Sequence, residues 1–131
     1  MRAIAIFLVC LLWGCSHDAG RNLVAIIPAA EAKQHKDKLC TVEVVVRASK
    51  QEKDRRVHYL DSETDYKDPK NFAVVIADET VDRFAKAGIE NPAAYFKDKT
   101  IRVTGKIVFQ GDQYQIVVTE PVQVQIVSKP K

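Results

Sequence analysis

Residues 99–127, KTIRVTGKIVFQGDQYQIVVTEPVQVQIV, decide the fold. Ile101 and Val103 alternate with Arg102 and Thr104, the two-residue period of a half-buried strand. Gly105 interrupts the alternation, which predicts a bulge or a sharp bend. Gly111 and Asp112 separate two β-rich runs and predict a hairpin turn. Beyond the turn, Tyr114, Ile116 and Val118 fall on one face, and Gln113, Gln115 and Val117 on the other. Pro121 breaks the ladder, and Val122, Val124 and Ile126 then alternate with Gln123 and Gln125. A hairpin with one apolar face needs a barrel or a sandwich to cover it.

The residues before this stretch supply the cover. Residues 39–49, LCTVEVVVRAS, read as a long first strand with Cys40, Val42, Val44 and Val46 on one face and Thr41, Glu43, Val45 and Arg47 on the other. A long first strand in a small barrel must curve and serve both sheets. Residues 50–56, KQEKDRR, read as a charged loop, and residues 57–60 as a second strand with Val57 and Tyr59 of one parity. An acidic loop over residues 61–70 ends in a proline turn. Residues 71–77, NFAVVIA, form a third strand with Phe72, Val74 and Ile76 inward and the small Ala73 and Val75 leaving a flat outer surface. Asp78, Glu79 and Thr80 open a helix that Gly88 stops. Asn91 and Pro92 open a second short turn whose Tyr95 and Phe96 pack back on the barrel. Residues 28–35, PAAEAKQH, predict a short N-terminal helix that closes one end. The order is three strands, a helix, two strands and a small terminal strand. It predicts a mainly β fold, a five-stranded OB-fold Greek-key barrel with a helix between strands three and four. An immunoglobulin-like sandwich needs about seven strands and has no such central helix.

A leader stands ahead of the domain. Arg2 precedes a continuous apolar run that is too short for a bilayer span of about 20 residues. Residues 1–14 therefore read as a signal peptide, 15–27 as a tether and 28–131 as the OB-fold domain. Leu12-Trp13-Gly14-Cys15 resembles the bacterial lipoprotein signal, with Trp13 an unusual occupant. The resemblance implies lipid on Cys15 and a membrane anchor at the cell envelope, because each buried CH₂ contributes about 0.8 kcal/mol. The alternative is an ordinary secretion signal cut nearby. Removing residues 1–14 takes away one base, Arg2, from a chain of formal net charge +3. The small excess that remains is not that of a dedicated duplex-DNA protein. Of three cysteines, Cys10 leaves with the leader and Cys15 is spent on lipid, so Cys40 is alone, a buried hydrophobe with no disulfide framework.

A family resemblance adds to this reading. DPKNFAVVI (residues 68–76), YFKDKTIRVTGKI (residues 95–107) and QIVVTEPVQVQIV (residues 115–127) together resemble bacterial exported OB-fold proteins, described as nucleic-acid-binding or tRNA-anticodon-binding-like domains. The likeness spans residues 28–127. It departs from the family pattern at Tyr59-Leu60-Asp61, where a typical member has Phe-Leu-Asn. It implies a fold and a binding module, and no particular ligand.

OB-folds bind along the face of strands two and three, between the first and fourth loops. Single-stranded nucleic acid needs positive charge along that groove and aromatic platforms for its bases. The candidates are Arg47, Lys50, Lys53, Arg55 and Arg56 around the first loop, His58 on the outward parity of strand two, and Arg102 and Lys106 on strand four. Gln113 and Gln115 face outward beside them. The strip lacks outward aromatics, since Phe72, Tyr114 and Tyr59 have inward parity, and Glu52 and Asp54 interleave with the bases. A solvated charged loop accounts for the same residues. Asp61, Glu63, Asp65 and Asp68 lack the glycine and distal glutamate of a calcium loop. His17, His35 and His58 have no metal-ligand spacing. No nucleophile stands with a base. Glu43, Arg47 and Asp61 sketch a carboxylate–arginine nuclease, but they suit a cross-strand ion pair equally well. Neither cofactor nor metal nor catalysis is expected. The two functions that remain are binding of single-stranded nucleic acid or another anionic polymer, and an envelope adaptor for a protein or glycan.

Overall fold

The computed structural model describes residues 24–52 and 54–127. The expected leader, Cys15, Lys53 and the basic tail lie outside those residues. The elements are β1 (Ile26–Pro28), a 3₁₀ helix (Ala29–His35), β2 (Leu39–Val45), β3 (Ala48–Glu52), β4 (Val57–Asp61), β5 (Phe72–Ile76), α1 (Asp78–Lys86), α2 (Pro92–Phe96), β6 (Thr100–Lys106), β7 (Val108–Gln110), β8 (Gln113–Val118), a 3₁₀ turn (Pro121–Gln123) and β9 (Val124–Ile126). The chain is mainly β, as its periodicity requires.

The expected single closed five-stranded barrel is not what the hydrogen bonds form. They divide into a four-stranded sheet, β1-β2-β6-β9, and a five-stranded sheet, β3-β4-β5-β8-β7. The physical reason is that both long strands turn. The first leaves its ladder at Val46 and Arg47, so β2 lies in one sheet and its continuation β3 in the other. Ile107 does the same between β6 and β7. The turning residues stay bonded. Val46 donates to the Lys99 carbonyl at 2.9 Å, Arg47 to the Asp61 carbonyl at 3.0 Å, and Ile107 to the Lys38 carbonyl at 3.1 Å. Buried backbone polar groups at a bend need such partners.

The core fills the space between the sheets. Val42, Val44 and Val46 from the first path, Leu60, Val74 and Ile76 from the hairpin, and Ile101, Val103 and Ile116 are all fully buried. Phe84 of α1 and Phe96 of α2 close one end edge-to-face, with ring centroids 5.9 Å apart. The helix stop works as read: Ile89 N–H donates to the Phe84 carbonyl at 2.8 Å and Gly88 N–H to Ala85 at 3.0 Å, a Schellman ending. The hairpin turn also forms, with Gly111 at φ 60° and Asp112 at φ 63° between the paired Gln110 and Gln113. Two positive φ values are what a two-residue turn needs to match strand twist.

Two boundaries and one local feature differ from the expectation. The chain joins the sheet at Ile26, inside the expected tether, by pairing parallel with Thr41. The predicted charged loop is half strand, because Lys50 pairs with Tyr59 and Glu52 with Val57. Gly105 makes no bulge. It sits in regular register opposite Cys40. Its role is close approach: a Cβ there would meet Cγ2 of the buried Ile116 at 2.6 Å. The glycine lets β6 pass directly over β8.

Gly105→Ala is therefore expected to destabilise the fold by about 1–3 kcal/mol, the usual cost of overpacking, read as a lowered urea midpoint. In an Ile116→Ala background the same substitution is expected to cost less, since the 2.6 Å approach to Ile116 Cγ2 is gone and only Gln123 Nε2 at 3.3 Å and the Ile116 Cβ at 3.9 Å are left to meet. Equal cost in both backgrounds would refute the contact.

Candidate functional site

The odd-numbered residues of β4 and β8 build a groove on the outer face of the five-stranded sheet. Val57, Tyr59 and Asp61 face it from β4, Gln113, Gln115 and Val117 from β8, and Val75 from β5 between them. Lys50 and Glu52 of β3 and Arg55 of the following turn form one wall; Tyr66 and the β7–β8 turn form others. The groove encloses about 490 Å³, within the range of small-molecule and segment-binding clefts. Its floor is apolar at Val57, Val75 and Val117, and its walls are polar.

Parity on β4 corrects two expectations. His58 is inward, 2 % exposed, and Tyr59 is outward. Residues 57–60 offer too short a run to fix parity. His58 is claimed by α2: its Nδ1 accepts the Ala93 N–H at 3.0 Å, where the first turn of a helix has no partner of its own. Tyr59 then supplies an aromatic ring on the groove, and Tyr66 a second from the acidic loop. Both rings line the groove, where the sequence placed no outward aromatic. Lys50 Nζ lies 5.6 Å from the centre of the Tyr66 ring, a cation–π distance. Arg55 donates to Glu52 Oε1 through Nε at 2.8 Å and to the Tyr59 hydroxyl at 3.3 Å.

The structure gathers only part of the expected basic strip. Lys50 and Arg55 line the groove. Arg56 turns away to Asp78 and Asp82 of α1, at 2.9 and 2.7 Å. Arg47 donates to the Ser62 carbonyl at 2.8 Å, pinning the acidic loop. Arg102 pairs with Glu43 at 3.0 Å on the four-stranded sheet, and Lys106 stands on the same strand. The Glu43–Arg47–Asp61 sketch dissolves accordingly, because Glu43 and Asp61 belong to different sheets.

A polar network that the sequence did not announce supports the groove. Asn71 Nδ2 donates to Asp61 Oδ1 and to Gln113 Oε1, both at 3.0 Å, and Gln113 Nε2 donates to the Tyr66 carbonyl at 3.1 Å. Asn71 Oδ1 accepts the Glu63 N–H at 3.0 Å, and Ser62 Oγ accepts the Phe72 N–H at 2.9 Å. The acidic loop is thus a braced structure. Asp65 and Asp68 accept the N–H groups of Lys67 and Lys70 within it. Burial raises the Asp61 carboxyl above its ordinary range, against opposing pulls from Asn71 and Lys50. Among the described residues no group of three or more His, Cys, Asp or Glu side chains is placed to hold a metal.

No protein-family model matches the chain, and no curated protein does. Solved structures do. A putative aspartyl-tRNA synthetase from Leishmania major Friedlin aligns at 11 % identity and TM-score 0.52, over 85 % of this chain and 22 % of that one. An aspartyl tRNA synthetase from Entamoeba histolytica aligns at 14 % and TM-score 0.44, over 75 % of this chain and 20 % of that one. The chain spans about a fifth of the length of either enzyme. The Leishmania alignment shows that it shares the fold of a segment of that enzyme.

His58 sets a pH dependence. Burial, then the Arg56 charge, lowers its pKa below the ordinary value. The unfolded chain takes up a proton near pH 6.5 that the folded chain refuses, so stability falls as the pH drops through that value. Asp61 acts with the opposite sign, because the folded carboxyl takes up its proton before the unfolded one. We expect His58→Gln, which keeps an acceptor for Ala93, to remove a slope of at most about 1.4 kcal/mol per pH unit below pH 6.5. Urea titrations of both proteins between pH 7.5 and 5 check this; parallel pH curves would refute it.

Proposed function

We propose that the chain is an OB-fold binding module, without catalytic activity, that takes a single-stranded nucleic acid or a similar anionic polymer in this groove. The strand path supports the fold assignment. The β2/β3 path pairs with β4, then come β5, β8 and the β6/β7 path, which returns to β2. The helices fall between β5 and β6. That circular order, with two bent strands shared between sheets, supports reading the two sheets as a five-stranded, partly open barrel. The observation that carries the ligand is Tyr59 and Tyr66 with Lys50 and Arg55 around one open sheet face. Aromatic faces stack bases and cations follow the backbone. The resemblance to nucleic-acid-binding OB-folds and the synthetase likeness point the same way.

One observation favours a second reading. Lys50 and Arg55 are offset in the groove by Glu52 and Asp61, and Gln110, Gln113 and Gln115 line it. A near-neutral groove rich in amides also suits an oligosaccharide, another ligand of the fold. We also propose that the leader exports the protein and that Cys15 carries the lipid anchor. Mass spectrometry of the N-terminal peptide from cells is expected to show an acylated Cys15; an unmodified thiol there would exclude the anchor.

Fluorescence anisotropy of the full chain with a labelled single-stranded oligonucleotide separates the two ligands. Binding is expected to weaken with salt. Lys50→Glu and Arg55→Glu are each expected to weaken it and to lower the salt slope by about 0.7 for each phosphate no longer neutralised. Tyr59→Ala is expected to cost about 1–3 kcal/mol, and Lys106→Glu on the other sheet to change nothing. No binding at low salt, beside salt-insensitive binding of an oligosaccharide, would replace the first reading with the second.

A further inference from the structure

Asp61 is the one acceptor-only side chain set into the floor of the groove. It is 6 % exposed and lines the groove. Asn71 Nδ2 occupies Oδ1 at 3.0 Å, and no described residue donates to Oδ2. Lys50 is near enough to pull on the carboxyl, yet no described cation forms an ion pair with it. A buried carboxylate oxygen without a donor is costly. Asn71 fixes the side chain, and is itself fixed by Gln113 and the Glu63 N–H, so Oδ2 cannot swing out to water at no cost.

The groove's other carboxylate, Glu52, stands on the wall and is taken by Arg55 through Oε1, and the remaining polar groups of the groove do not discriminate. Gln110 and Gln115 carry amides that both donate and accept, and Gln113 is bonded at both ends of its amide. Tyrosine hydroxyls do both as well. Lys50 and Arg55 only donate, and they belong to the exposed rim. Fixed hydrogen-bond polarity inside the groove therefore resides in Asp61. Its partner must present donors and no adjacent acceptor, and it cannot be a phosphate.

We infer that Asp61 is a specificity-determining residue that selects guanine in a single-stranded nucleic acid. This rests on the nucleic-acid reading of the groove. Guanine alone among the bases carries two neighbouring donors, N1–H and the N2 amine, on its Watson–Crick edge. The donors of adenine and cytosine each stand beside a ring-nitrogen acceptor that a carboxylate repels. The N3–H of thymine or uracil stands between two carbonyls. Both carboxylate oxygens keep acceptor capacity, since Asn71 uses one lone pair of Oδ1. The guanine ring is then held against the tyrosine-lined wall and the phosphates run past Lys50 and Arg55.

The test uses the full chain and three labelled heptanucleotides: thymidine only, thymidine with a central guanosine, and thymidine with a central inosine, which lacks the N2 amine. Anisotropy titrations are run at one fixed salt concentration. The guanosine oligomer is expected to bind about tenfold tighter than the thymidine one, with inosine between them, as a good two-bond base contact gives. Asp61→Asn, which keeps the acceptor for Asn71, is expected to shrink that ratio toward one, whatever it does to the affinity for the thymidine oligomer. Equal binding of all three oligomers by the wild-type chain would overturn the inference and leave the nucleic-acid reading standing. A ratio unchanged in Asp61→Asn would also overturn it. Binding of none of them at low salt would overturn the reading, and the inference with it.

Discussion

Two strands must serve two sheets, and the rest of the structure depends on how they turn. A straight strand of the length that runs from Leu39 to Glu52 would leave one end unpaired. The turn at Val46 and Arg47 moves the chain to a second ladder while Val46 stays in the core. Ile107 does this for the other long strand. Because Val46 and Ile107 at the bends are β-branched and fully buried, the sheets cannot separate without opening the core. Gly105 is the counterpart of these bends. Where β6 crosses β8 no room is left for a side chain, so the strands hold the sheets at a fixed separation.

Much of this was legible because the interior of a small β protein imposes a two-residue period. Cys40, Val42, Val44 and Val46 declared the inner face of the first strand, and Phe72, Val74 and Ile76 that of β5. Gly88 and the Gly111–Asp112 pair marked chain reversals through backbone conformations that few residues adopt. The division into two sheets was not legible. A bend costs only a local break in pairing, and Val46 and Ile107 are ordinary strand residues that carry no mark of it.

The groove was legible in position and misread in detail. Charge showed where polar side chains collect, but not which of them had partners. Arg56 and Arg102 find carboxylates on α1 and β2 that are distant in sequence, and no local pattern reveals such pairs. On β4 a one-residue slip in parity exchanged His58 with Tyr59 and hid the aromatic platform. Asn71 was read as the end of a strand. Its importance comes from three partners, Asp61, Glu63 and Gln113, that meet only in the folded chain.

The short strand at Ile26–Pro28 gives the molecule a mechanical polarity. It lies at the edge of the four-stranded sheet, on β2, whereas the groove belongs wholly to the five-stranded sheet. A tension applied ahead of residue 24 enters through that edge. It reaches the groove only by way of the shared backbone at Val46 and Ile107 and the core between the sheets. The strand through which the preceding chain enters and the face that carries the groove thereby belong to different sheets, joined through the core.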